Sequence, residues 1–219
     1  MKKEYWHGKW QQNQIGFNQE EPNPFLLQYI NLLNLKRGDR IFVPLCGKSI
    51  DMFWLIKQGY YVIGVEFSLI ACEAFFKENS IPFEVSKYDL FTVFQGKNIT
   101  LLSGDFFNLN KSLLGTVNAV FDRAAIIALP EELRQRYAKH FIELLEPNTP
   151  LLLISLSYDQ NEMEGPPFSV EKKEVEKLYQ NNFSIKQLCN KPVEKIGPHL
   201  LAKGLTQASE QVYHLLYAK

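Results

Sequence analysis

A doubly wound α/β sheet is the fold predicted by this 219-residue chain, and three observations predict it. Short apolar runs of strand length alternate with amphipathic helical stretches, the rhythm of βαβ crossovers. The stretch Arg40–Glu66 reads as strand, tight connection, helix, strand and acid, which implies a right-handed parallel crossover. A closing pair of runs, Phe183–Leu188 and Gln211–Ala218, reads as a final hairpin. No repeat or linker interrupts the pattern, so residues 1–219 are expected to form one domain large enough to bury a full core.

Each element has its own reason. Trp6 and Trp10 lie four residues apart, so a helix sets both on one side, and Gly16 breaks that segment before Phe17. It is either a helix packed on the sheet or a lid. Asn23-Pro24 gives an N-cap and a first-turn proline, Leu26, Leu27, Ile30 and Leu33 give the apolar face, and Gly38 closes the helix. Ile41–Val43 is a buried strand; Pro44–Ser49 is a tight connection, and the helix after it stops at Gly59. Tyr61–Val65 is the next strand, ending on Glu66, and Ser68 caps a helix that buries Cys72, Phe75 and Phe76. The stretch from Pro82 to Gly96 reads as irregular. Ile99–Ser103, Val117–Phe121 and Leu151–Leu156 are further strands; the helix from Pro130 buries Leu133, Tyr137, Phe141 and Leu144. A loop with Asp159, Glu162 and Glu164 follows, and then a charged helix from Ser169 to Gln180.

Two ligands suit the crevice at the strand ends. Gly47-Lys48-Ser49 resembles the end of a triphosphate-binding loop, but the glycine required five residues earlier is replaced by Phe42, and Pro44 has no N–H to offer. A dinucleotide fingerprint fails for want of glycines. There remains Glu66, 66 − 47 = 19 residues after Gly47, placed to accept two hydrogen bonds from a ribose diol. A ribose without phosphates points to an adenosine with another tail, such as S-adenosylmethionine. The alternative is a solvated strand-end acid. Asp105, just past its strand and followed by Phe106, either accepts from an exocyclic amine or is a turn aspartate.

Composition narrows the classes. Lys+Arg and Asp+Glu both number 24, so no net field draws the chain to nucleic acid or to a membrane surface. Three scattered cysteines argue against a disulfide framework or a CxxC metal site, and the four histidines have no ligand spacing, so no metal is expected. The basic start lacks an apolar h-region and no run approaches a membrane span, so a cytoplasmic protein is expected, and the balanced charge and plain surface suggest a monomer.

Trp6–Trp10 with Ile15-Gly16-Phe17, Val43–Met52 with its Pro-Leu-Cys-Gly-Lys-Ser string, Gly64-Val65-Glu66 and Phe121-Asp122-Arg123 closely resemble thiopurine S-methyltransferases, particularly bacterial ones. The resemblance runs to about Leu156 and more loosely to the end. It implies a class I S-adenosylmethionine-dependent methyltransferase with a seven-stranded, mostly parallel sheet whose last strand is antiparallel, capped by a helical lid over residues 1–34. Carried over by position, Trp10, Leu45, Glu66 and Arg123 would contact the cofactor. Gly104 and Asp105 would lie beside adenine, Phe17 would touch cofactor and acceptor, and Arg123 would also steer the acceptor. The product would be S-adenosylhomocysteine. Relatives place arginines before the last strand, whereas Pro198–Lys203 holds none. The implied reaction is methyl transfer to the sulfur of thiopurines or aromatic thiols, or alternatively to other small thiols or selenium and tellurium species. It is an in-line displacement needing no general base, so no catalytic acid or base is assigned.

Overall fold

The computed structural model describes residues 3–218; Met1, Lys2 and Lys219, which the expected domain and its N-terminal lid include, lie outside the described residues. The chain divides into two compact bodies, residues 2–121 and 122–219. The first begins with α1 (Lys3–Gln11) and α2 (Pro24–Tyr29). Then come β1 (Arg40–Pro44), α3 (Ile50–Lys57), β2 (Tyr61–Glu66) and α4 (Leu69–Glu78). A hairpin of β3 (Phe83–Tyr88) and β4 (Phe91–Gly96) leads to β5 (Ile99–Ser103), the short α5 (Lys111–Leu114) and β6 (Ala119–Arg123), whose last two residues open the second body.

Strand order in the first body is β3-β4-β5-β2-β1-β6. β1 pairs in parallel with β2 and β6, and β2 in parallel with β5, as the crossover reading requires. Ile41, Phe42, Val62 and Leu101 in these strands are fully shielded, with Met52, Leu55, Phe75 and Phe76 closing over them from α3 and α4. Asn23 caps α2 by accepting from the Phe25 N–H at 2.9 Å, and Ser68 caps α4 by accepting from Ala71 at 3.3 Å. α2 runs into a 3₁₀ turn ended by left-handed Asn34 at φ 51°, so Gly38 is not its terminator. A left-handed asparagine does that work because its short polar side chain tolerates positive φ.

The irregular reading of residues 82–96 is corrected: β3 and β4 pair antiparallel with each other, and β4 pairs antiparallel with β5. β3 lies at the end of its strand order and Glu84–Tyr88 are all exposed, so no apolar run or clean alternation marks it. With these two the strands among the described residues number nine rather than seven, and the sheet is mixed.

The second body holds α6 (Glu131–Leu144), β7 (Pro150–Ser157), α7 (Lys172–Tyr179), β8 (Phe183–Pro192), the short α8 (Pro198–Leu201) and β9 (Ser209–Tyr217). Its strands run β7-β9-β8, and β9 pairs antiparallel with both neighbours, so the final strand is antiparallel as expected. Tyr137 and Phe141 of α6 are fully buried, whereas Leu133 is half-buried. α7 starts at Lys172 rather than Ser169, because Ser169 is tied back into the preceding loop. Its N–H donates to Gln160 Oε1 at 2.9 Å and its hydroxyl to the Tyr158 carbonyl at 2.7 Å.

Candidate active site

The site is assembled at the carboxyl ends of β1, β2 and β5. Past β1, Leu45 takes φ 44° and Gly47 takes φ 52°, turning the chain sharply so that the Gly47 N–H points at Glu66. It donates to Glu66 Oε2 at 2.8 Å, and the Ser68 N–H donates to Oε1 at 2.7 Å. The Cys46 N–H reaches the Val65 carbonyl at 3.0 Å, and the Gly104 N–H reaches the Glu66 carbonyl at 2.9 Å, so three strand ends converge on one residue. Glu66 is therefore no solvated acid: it is 8% exposed. Burial raises its pKa above the ordinary value, while the N–H groups of Ser68, Gly47 and Phe67 pull back toward the charged form.

A carboxylate oxygen has two lone-pair positions. Each Glu66 oxygen spends at least one on a backbone donor, Oε2 on Gly47 and Oε1 on Ser68, and the remaining lone pairs are what the carboxylate offers to a pair of adjacent hydroxyls. The same geometry rules out the triphosphate reading. The Gly47 N–H that would cradle phosphate is committed to a carboxylate, and Lys48 Nζ is bound to Glu78 at 2.6 Å. Phosphate would also face the charge of Glu66.

Aromatic rings stand on both sides of that acid. A side chain at Gly47 would meet Trp10 Cζ2 at 3.2 Å, so the indole, itself 7% exposed, rests directly on the turn. The His7 ring lies 5.2 Å from that of Phe67, the residue after Glu66. Phe17 packs edge-on against both Trp6 and Trp10, with ring centroids 5.5 Å apart in each pair, and stays 39% exposed.

The structure brings Trp10, Glu66, Gly104 and Phe17 into this one chain of contacts, and Leu45 lies in the turn that carries Gly47. Gly104 is demanded by packing: a Cβ there would lie 2.6 Å from Cε1 of the buried Phe91 ring. Asp105 follows it and caps a 3₁₀ turn, its Oδ1 accepting from the Phe107 N–H at 3.0 Å, so the turn role is filled by one of its oxygens. Arg123 ends β6 in the second body, where its charge acts on Glu210 and keeps that carboxyl lower than burial alone would leave it. The preceding Asp122 is fully buried and accepts from the Tyr137 hydroxyl at 2.8 Å.

Sequence reasoning missed the main-chain donors that hold Glu66. Gly47 and Ser68 were visible as a turn glycine and a helix cap, which is the signal that carried them. Cys46 is buried, and burial first, then neighbouring Cys72 and Glu66, push its thiol well up, so it offers no thiolate nucleophile. Among the described residues no group of three or more His, Cys, Asp or Glu side chains is arranged to hold a metal ion, and no helix is long and apolar enough to cross a membrane. A separate cleft of about 1190 Å³ lies within the second body beside Arg134, Tyr158, Glu162 and Glu174, and none of the expected site residues lines it.

Comparison with known proteins gives the same picture. Among solved structures of low identity, the chain superposes on a Burkholderia thailandensis 1,6-didemethyltoxoflavin-N1-methyltransferase with bound 1,6-didemethyltoxoflavin and S-adenosylhomocysteine, with a TM-score of 0.68 at 12% identity over 99% of this chain and 87% of that one. It superposes on the glycopeptide N-methyltransferase MtfA with a TM-score of 0.60 at 14% identity, over 91% of this chain and 97% of that one. These likenesses establish the fold. In sequence, a thiopurine S-methyltransferase of Nitrosospira multiformis is 44% identical over 216 residues, 99% of this chain and 98% of its own. One of Pseudomonas aeruginosa is 41% identical over 215 residues, 98% of this chain and 99% of its own. The family model for thiopurine S-methyltransferase (TPMT) matches residues 1–217, and the chain belongs to that family.

Proposed function

We propose that this protein is an S-adenosylmethionine-dependent S-methyltransferase acting on thiopurines and aromatic thiols, with Glu66 as the ribose acceptor. The observation that carries the reading is the 8% exposed carboxylate at the end of β2, pinned by a backbone N–H on each oxygen. When bound, S-adenosylmethionine supplies a methyl group on a positively charged sulfur. Glu66 holds the ribose diol, and Gly104 and Asp105 at the end of β5 lie beside adenine, where Asp105 accepts from the adenine amine. Leu45 and Trp10 line the cofactor on the β1 side. The described part of the N-terminal lid, residues 3–34, caps the site, with Trp10 and Phe17 excluding water and offering ring faces that attract a cation.

An acceptor thiolate carries negative charge toward a cation, so charge is lost in the transition state and a dry site favours the step. Thiopurines and aromatic thiols ionise readily, so the protein needs no general base; its work is alignment. Phe17 stacks against the acceptor. The same reading has the enzyme working as a cytoplasmic monomer on a free small molecule, without nucleic acid or a membrane. The test is calorimetry with S-adenosylhomocysteine and with magnesium-ATP, followed by labelled-methyl transfer to thiopurines, aryl thiols and selenium or tellurium species. Binding of the nucleoside product with transfer to an aromatic thiol is expected. ATP binding without any response to the methyl donor would overturn the proposal.

A further inference from the structure

Asp51 sits in the first turn of α3, is 1% exposed, and is claimed by no role described so far. Its Oδ1 accepts from the backbone N–H of Asn23 at 2.7 Å, and its Oδ2 accepts from the Ser49 hydroxyl at 2.9 Å. These donors belong to two parts of the first body that are far apart in sequence. Ser49 closes the turn after β1, whose Gly47 N–H holds Glu66. Asn23 is the root of the N-terminal segment, where the chain enters α2.

Upstream of that root, the backbone bonds of residues 12–18 are local: Gln14 N–H to the Lys9 carbonyl and Asn18 N–H to that of Ile15. Phe17 packs on Trp6 and Trp10, and α1 rests on either side of Glu66, with Trp10 on Gly47 and His7 on Phe67. A buried carboxylate cannot drift from one donor to the other without leaving a buried polar group unpaired. A shift of either Ser49 or Asn23 therefore pulls on a carboxylate that the other also holds.

We propose that Asp51 is a positioning residue that couples occupation of the Glu66 site to the ordering of α1, an inference that rests on Glu66 being the ribose acceptor. Ligand held against Glu66 fixes the Gly47–Ser49 turn; Asp51 passes that constraint to Asn23, and the segment rooted there settles over the ligand.

Asn23 itself offers the test. Its φ of −60° already suits a proline ring. Asn23→Ala and Asn23→Pro both delete the side-chain cap of α2, but only the proline deletes the N–H that Asp51 accepts. A second pair, Ser49→Ala and Ser49→Thr, removes or keeps the hydroxyl on the other arm. Deuterium uptake of residues 5–17 is measured with and without S-adenosylhomocysteine, at equal saturation set by calorimetry. The ligand is expected to slow uptake about tenfold in wild type, Asn23→Ala and Ser49→Thr, and less than about twofold in Asn23→Pro and Ser49→Ala. Equal protection within both pairs would overturn the coupling while leaving Glu66 as the ribose acceptor. No binding by the wild type would overturn both. If Asn23→Pro loses its native circular dichroism, the serine pair decides alone.

Discussion

Glu66 and Asp122 are both carboxylates at the end of a strand, and both are raised in pKa by burial, yet they are built for opposite ends. Glu66 ends β2 with a backbone donor on each oxygen and 8% of its surface open. Asp122 lies in β6 at 0% exposure, with the Tyr137 hydroxyl donating to its Oδ2. Its carboxyl is pushed up to about 7 by burial, although the Tyr137 hydroxyl and the N–H groups of Ile126 and Ala125 favour the charged form. The difference teaches what a strand-end acid needs in order to bind something. It must be held in place by fixed donors while part of its surface stays open to a ligand. Asp122 is sealed and costs the fold stability; Glu66 is paired and open.

The largest expected effect breaks the comparison at Asp122. An acid whose folded pKa is raised favours the folded state below its unfolded pKa, and the fold loses that advantage as pH rises through about 7. Asp122→Asn should therefore gain on wild type between about pH 4 and pH 8, by up to about 4 kcal/mol in urea unfolding. A constant difference across that range would mean that Asp122 ionises normally. Glu66→Ala should act the other way, on binding rather than on the fold, weakening S-adenosylhomocysteine by about 1.5–3 kcal/mol in calorimetry. The wild-type affinity should also fall toward acid pH as Glu66 takes up its proton, and this pH dependence should vanish in the alanine variant.

Gly104→Ala sharpens the site further. A methyl group driven at Phe91 should cost about 1–3 kcal/mol of stability, read as a lower denaturant midpoint, because the ring is walled in and cannot yield. Gly47→Ala is expected to cost least, about 1 kcal/mol, from its φ of 52° and the tight approach to Trp10. Tryptophan fluorescence should report that change, since the indole must give way.

What the residues disclosed unaided follows the same division. β1, α3 and β2 were legible because strands buried on both faces are uninterrupted apolar runs and Gly59, at φ 92°, ends the helix between them. β3 was illegible because Glu84–Tyr88 are exposed, so nothing in their polarity distinguishes strand from loop. Asn34 in place of Gly38 as a helix end, and Ser169 lost from α7, are choices made by local hydrogen bonds that a sequence pattern leaves open. In the site, Glu66 could be placed by its position after the second strand. Its partners could not, because a main-chain N–H has no side-chain signature. Asp51 and Asp122 look like any other acids until the groups that bury them, Asn23 and Tyr137, are brought in by the fold.

The central claim is that Glu66 holds a ribose diol, and the most direct measurement compares S-adenosylhomocysteine with its 2′-deoxy analogue on wild type and Glu66→Ala. The account predicts that losing the hydroxyl weakens binding by about tenfold in the wild type and scarcely at all in the variant. An equal loss in both proteins would contradict it.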